Sequence, residues 1–172
     1  MTEYNKDLHD FLLQRINISA AKSVLDIGYG DGYLLKKIKG MNPKINCFGV
    51  EKNDKWPAKK FDHVFMCDVI EHLPEPLVKD YFSYVSKNLD KGGYFVISTP
   101  NINNLYQISL FWDEPTHLRP YTVMAMQWYA DHYGFEMQVV PFHFFKNPLK
   151  ILFNKLLLLD THNKNIFFLK KK

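Results

Sequence analysis

Apolar residues in this chain recur with two alternating periods. Leu8, Phe11, Leu12 and Ile16 fall at helical spacing, which predicts a short amphipathic helix over residues 8–16. A continuous apolar run at 24–28 then reads as a buried strand that stops at a glycine-rich turn. Residues 32–39 carry Leu34, Leu35 and Ile38 on one helical face, and 45–50 read as a second strand ending at Glu51. A third strand is predicted at 62–67. An amphipathic helix follows at 75–88, with Leu77, Tyr81, Phe82 and Val85 inward. Gly92 and Gly93 punctuate before a fourth strand at 94–98, which runs out at Pro100. Residues 122–133 read as a helix closed by Gly134, where left-handed C-caps are common. Strands at 135–141 and 165–170 follow, with an apolar piece at 149–159 between them that suits a surface helix. Strands alternating with helices imply crossover connections and a mainly parallel sheet.

Composition narrows this only slightly. A length of 172 residues suits one domain, 1–172, and at that size folding buries roughly two-thirds of the unfolded surface. The net charge of +4 is carried by scattered lysines, with arginine only at 15 and 119, so no basic stripe marks a nucleic-acid partner. Cys47 and Cys67 both lie in apolar runs and read as small buried hydrophobes, not as a zinc site or a disulfide, so no metal is expected. A polar N-terminus and the lack of an apolar run of ~18 residues point to a cytoplasmic protein.

The chemistry concentrates at the first turn, Val24-Leu25-Asp26-Ile27-Gly28-Tyr29-Gly30-Asp31-Gly32. Glycines at alternate positions let the backbone turn sharply and let a ligand lie on bare amides. The helix N-terminus behind them favours negative charge. A dinucleotide site would require a third glycine at position 33, where Tyr33 stands. Asp26, two residues before the first glycine, suits a ligand with a cationic amino group. Glu51, about twenty residues further on at the tip of the second strand, is placed to accept hydrogen bonds from ribose hydroxyls.

With these residues in view, the chain resembles class I S-adenosylmethionine-dependent methyltransferases. It is most similar to the group that includes ubiquinone-biosynthesis O-methyltransferases and the sugar or glycan methyltransferases of bacterial polysaccharide clusters. The likeness runs from about Val24 to Lys170. It rests on VLDIGYGDG (24–32), FGVEKN (48–53), FDHVFMCDVIEHLPEP (61–76) and LDKGG leading into YFVISTPN (89–101). It implies a Rossmann-like α/β fold, mostly parallel with the last strand antiparallel, and S-adenosylmethionine as cofactor. By the resemblance, Asp26, Gly28 and Gly30 hold the methionine part, Tyr29 between them also binds the cofactor, Glu51 holds the ribose, and Lys52 lies beside the adenine. Cys67 and Asp68 line the cofactor through backbone groups, and His72 closes the pocket wall.

Two departures stand out. Only residues 52–61 separate Glu51 from the third strand, too few for the usual helix–strand–helix excursion, so six strands with one edge strand missing are expected. The usual acid near the adenine amino group is also absent. This implies weaker cofactor binding or completion by a partner chain.

On the acceptor side, residues 111–121 follow the fourth strand at the carboxyl edge of the sheet, where ligands of open α/β sheets bind. This run holds Trp112, Asp113, His117, Arg119 and Tyr121 as substrate-side candidates. A similar Asp-x-Pro-Thr-His-x-Arg-Pro run in the polysaccharide-cluster enzymes implies a sugar or glycan hydroxyl as acceptor, with a small quinone or phenol as the alternative. A third reading is a cofactor-binding, non-catalytic subunit that needs a partner. His117 is the candidate base. It reads equally as a structural histidine tied to Asp113 or to a backbone carbonyl. Arg119 either holds a substrate anion or pairs with Glu114 or Asp113. The apolar stretch 147–159 suits packing, self-association as a homodimer, or contact with a membrane surface.

Overall fold

The computed structural model describes residues 3–52, 54–143 and 162–172. The order is α1 (Glu3–Leu13), β1 (Ser23–Ile27), α2 (Tyr33–Met41), β2 (Asn46–Val50), β3 (Phe61–Cys67), α3 (Glu75–Asn88), β4 (Leu89–Pro100), α4 (Leu105–Asp113), α5 (Val123–Tyr133), β5 (Phe135–Phe142) and β6 (Lys164–Lys171). The sheet runs β2-β1-β3-β4-β6-β5. β2, β1, β3 and β4 are mutually parallel, and β6 is antiparallel to both β4 and β5. Six strands with the last one reversed agree with the sequence expectation. The predicted helix at 149–159, and with it the surface stretch 147–159, lies outside the described residues.

Both faces of the sheet are covered, so β1 is buried at every position and its side chains divide by parity. Leu25, Val64, Met66, Phe95, Ile97 and Phe167 meet α3 and α5 through Tyr81, Phe82, Val85, Met126 and Tyr129. Val24, Phe65, Val96, Ile166 and Phe168 face the other way, onto Leu8 and Leu12 of α1 and Leu34 and Ile38 of α2. α5 begins where Thr122 accepts a 3.2 Å hydrogen bond from the Ala125 amide, and it ends at Gly134 in the left-handed region.

The short 52–61 connection leaves β2 as the sheet edge. Trp56 stacks on Tyr81 at 4.3 Å between ring centroids and meets Tyr84 edge-on at 4.1 Å, while the Tyr84 hydroxyl donates to the Pro57 carbonyl at 2.7 Å. Lys59 sits 4.0 Å over the Phe48 ring, placing a charge at the exposed edge.

Two expectations change. β4 starts at Leu89, not at 94, and takes in the glycine pair through a register shift opposite Phe61–His63. Gly93 is required there, because a Cβ would lie 2.3 Å from the Asp62 carbonyl oxygen. The segment after β4, to which the sequence pattern assigns no element, contains α4. That helix buries Phe111 but exposes Leu105, Leu110 and Trp112, so it lacks the one-sided apolar stripe by which helices are recognised.

Candidate active site

Four strand ends converge on the carboxyl edge. β1 runs into the glycine turn, where Gly28, Gly30 and Gly32 all have positive φ. A Cβ on Gly28 would lie 2.3 Å from Val69 Cγ2, so the turn and the segment after β3 pack directly against each other. The Tyr29 ring covers Gly49 just as closely. The Gly30 amide donates to Glu51 Oε1 at 2.9 Å and ties the glycine turn to the end of β2. After β3, Asp68 takes φ 56°, a conformation aspartate tolerates better than most residues. Its carboxylate accepts from Ser98 Oγ at 2.8 Å and pairs with buried Lys164.

Two cavities open here and share Gly28. One, of about 400 Å³, is lined by Leu8, His9, Asp26, Gly28, Tyr29, Gly30, Asp31, Cys67 and Asp68. The other, of about 440 Å³, is lined by Ile27, Gly28, Glu51, Lys52, Val69, His72, Leu73, Tyr81, Thr116 and Leu118. All nine residues expected to hold the cofactor therefore border a cavity: Asp26, Tyr29, Gly30, Cys67 and Asp68 the first, Glu51, Lys52 and His72 the second, and Gly28 both. Asp26 is 4% exposed, and burial together with the nearby Glu51 carboxylate pushes its carboxyl up to about 8.

The acceptor-side residues come together only in part. A 3₁₀ turn, Ile70–His72, follows β3, and its Glu71 carbonyl accepts from the Leu118 amide (2.8 Å) and the Arg119 amide (3.3 Å). This clamps the 114–119 loop beside His72. Thr116 Oγ1 donates to Glu114 at 2.9 Å and lies 2.9 Å from His72 Nδ1, so the His72 proton sits on Nδ1. His117 Nδ1 donates to the Phe111 carbonyl at 2.6 Å, and its ring stacks on Phe111 at 4.3 Å. Both rings are therefore oriented with Nε2 as the lone-pair nitrogen, 4.6 Å apart at their centroids. Burial, followed by the neighbouring His117, lowers His72 from its ordinary value.

Arg119 pairs with Glu75 at 3.4 Å; its expected partners Asp113 and Glu114 do not hold it, because the clamp on Glu71 turns its side chain toward the start of α3. Tyr121 is fully buried against Tyr129, with its hydroxyl unpartnered among the described residues, and lines neither cavity. Trp112 and Asp113 end α4; Trp112 is 60% exposed and touches Phe111 edge-on.

Sequence reasoning missed Leu8, His9, Val69, Leu73, Tyr81, Thr116 and Leu118 as cavity residues. Helical periodicity placed Leu8 and Tyr81 inward but could not say over which strand end. Glu71 stood in the quoted Glu-His-Leu motif without a role. It is buried, and burial and the Asp68 charge push its carboxyl up.

An open, mainly parallel sheet with G-x-G-x-G after its first strand and an acid after its second is the frame of class I methyltransferases. The chain belongs to the methyltransferase-domain family, whose profile matches residues 1–140. No curated protein matches the sequence. Among solved structures, a SAM-dependent methyltransferase from Archaeoglobus fulgidus superposes with a TM-score of 0.78 at 20% identity, covering 96% of this chain and 94% of that one. An O-methyltransferase family protein from Burkholderia thailandensis gives 0.71 at 9% identity, over 98% and 56%. Phosphoethanolamine N-methyltransferase 2 of Haemonchus contortus, in complex with S-adenosyl-L-methionine, gives 0.67 at 16%, over 96% and 52%. The chain thus spans about half the length of the latter two. Among the described residues no helix is long and apolar enough to cross a membrane.

Proposed function

We propose that the protein transfers the methyl group of S-adenosylmethionine to an oxygen acceptor, a hydroxyl of a sugar or glycan. The observation that carries the cofactor is the pair of cavities meeting at Gly28 with a different acid on each side. Asp26 is a buried carboxyl that gains a partner when a cationic amine enters the first cavity. Glu51 faces the second cavity, where ribose hydroxyls would meet it. Bound there, S-adenosylmethionine supplies an activated methyl group and leaves as S-adenosylhomocysteine.

The chain's own work is positioning and proton transfer. Gly28 and Gly30 present amides without side chains in the way. The loop clamped on Glu71 carries His117, and the Phe111 carbonyl in α4 holds its Nδ1, which leaves Nε2 to take the proton that the acceptor hydroxyl loses as its oxygen bonds to the methyl carbon. Trp112 and Asp113 flank that loop as acceptor contacts.

A small quinone or phenol is the second reading. It is favoured by Leu105, Ile108 and Trp112, exposed apolar residues at helical spacing along one side of α4. Titration calorimetry with S-adenosylmethionine and S-adenosylhomocysteine, with Asp26→Ala beside the parent, tests the cofactor. Micromolar binding lost in the variant is expected, and no binding at millimolar ligand overturns the reading in favour of a subunit completed by a partner. A panel of nucleotide sugars, glycans, phenols and quinols then decides the acceptor.

A further inference from the structure

Glu71, His72 and His117 come from two separate segments, the 3₁₀ turn after β3 and the loop after α4. Each offers one ligand atom, and the three atoms lie within 4.8 Å of one another. We infer that these three side chains form a binding site for a divalent transition-metal ion, of the zinc, manganese or iron(II) class, beside the acceptor position. The inference rests on the reading of methyl transfer to oxygen given above.

Three independent features support it. The first is the donor set: two imidazoles and one carboxylate form a three-point set that suits these ions and leaves coordination positions open for a substrate oxygen. A set meant for magnesium would be dominated by oxygen. The second is the outer shell. Metal-binding histidines commonly donate their other ring N–H to a carbonyl or another acceptor, which fixes the tautomer. Here His117 Nδ1 is held by the Phe111 carbonyl at 2.6 Å and His72 Nδ1 by Thr116 Oγ1 at 2.9 Å, with Glu114 supporting the threonine. Both Nε2 lone pairs are thereby presented. The third is Glu71 itself. It is 1% exposed, and its Oε2 has no hydrogen-bond partner among the described residues, so a cation beside the two imidazoles would satisfy a costly buried oxygen.

Metal–ligand bonds of about 2.1 Å bring donor atoms to ~3–3.5 Å from one another, so an ion would draw these three donors together by roughly 1–2 Å. His72 also lines the second cavity, so an ion here borders the same space as the cofactor. With the ion in place, an acceptor hydroxyl bound to it loses its proton more readily, to solvent or a nearby base. Activation of the oxygen then passes from a bare imidazole to the ion.

The test uses tag-free protein stripped with a chelator and titrated with cobalt(II), followed by calorimetry and by visible absorption. One ion per chain with low-coordinate cobalt bands is expected. Affinity should fall at least ~100-fold in Glu71→Gln and in His117→Gln, more than loss of an outer partner costs. S-adenosylhomocysteine binding by both variants serves as the folding control and also separates this proposal from the cofactor reading: cofactor binding without cobalt binding sinks only the metal site. Cobalt binding that survives both variants but is lost in His162→Asn would place the ion at the His143–His162 pair, whose rings are 4.2 Å apart, and would overturn the assignment.

Discussion

The two sides of the carboxyl edge are built differently. The cofactor side is made of strand ends: β1, β2 and β3 deliver Asp26, Glu51 and Asp68 at positions set by parallel register, with Asp26 paired to Gly49 and to Phe65. The acceptor side is made of a short helix and a loop, held by hydrogen bonds to single carbonyl groups of Glu71 and Phe111. A site set by sheet register tolerates little change in backbone, whereas a site set by a clamped loop can exchange side chains while keeping its frame.

The largest expected effect probes the rigid side. Gly28→Ala places a methyl group against Val69 at a positive φ, and cofactor affinity should fall about 100-fold, or about 3 kcal/mol, by calorimetry. A Val69→Ala background should restore part of that loss. If the single variant binds normally, the turn is not the rigid element described here.

On the looser side, His117→Gln should lower kcat by ~10²–10³ while leaving S-adenosylhomocysteine affinity within about twofold. Equal losses in both would mean that the two sides are coupled and the comparison fails.

The pH dependence of stability offers a smaller signal. Asp26 titrates near 3.8 when unfolded and about 8 when folded. Between those values the folded state holds a proton that the unfolded state has lost, so stability falls as pH rises through that window. Asp26→Asn should flatten this slope and raise Tm at pH 8 by about 3 °C or more, with the melt followed by circular dichroism. An unchanged slope would remove Asp26 as the buried acid of the site.

The smallest effect concerns a residue expected at the acceptor and found in the core. Tyr121→Phe removes a buried hydroxyl without a partner, and a urea melt should show a gain of up to about 1 kcal/mol with kcat and KM unchanged. A raised KM would return Tyr121 to the acceptor side.

The same contrast explains what the sequence could disclose. Continuous apolar runs ending in Gly28 or Glu51 carry their own geometry, because a buried parallel strand has one direction and its end must face the ligand edge. The missing edge strand could be read from the ten residues between Glu51 and Asp62. α4 was hidden because its apolar residues point both inward and outward. Arg119 and Tyr121, two residues apart, give no period that could tell solvent from core. Glu71 is indistinguishable in sequence from a surface acid: His72 follows it in the chain, but only tertiary packing buries the carboxyl and brings His117 beside it.

The stack of Trp56 on Tyr81 has an optical consequence. Tyr81 lines the cavity beside Glu51, while Trp112 and Trp128, the other two tryptophans, are more than half exposed. The shorter-wavelength part of the intrinsic fluorescence should therefore come from Trp56. Filling the neighbouring cavity should change that emission while the long-wavelength part stays constant, so the protein carries its own reporter of adenine-side occupancy.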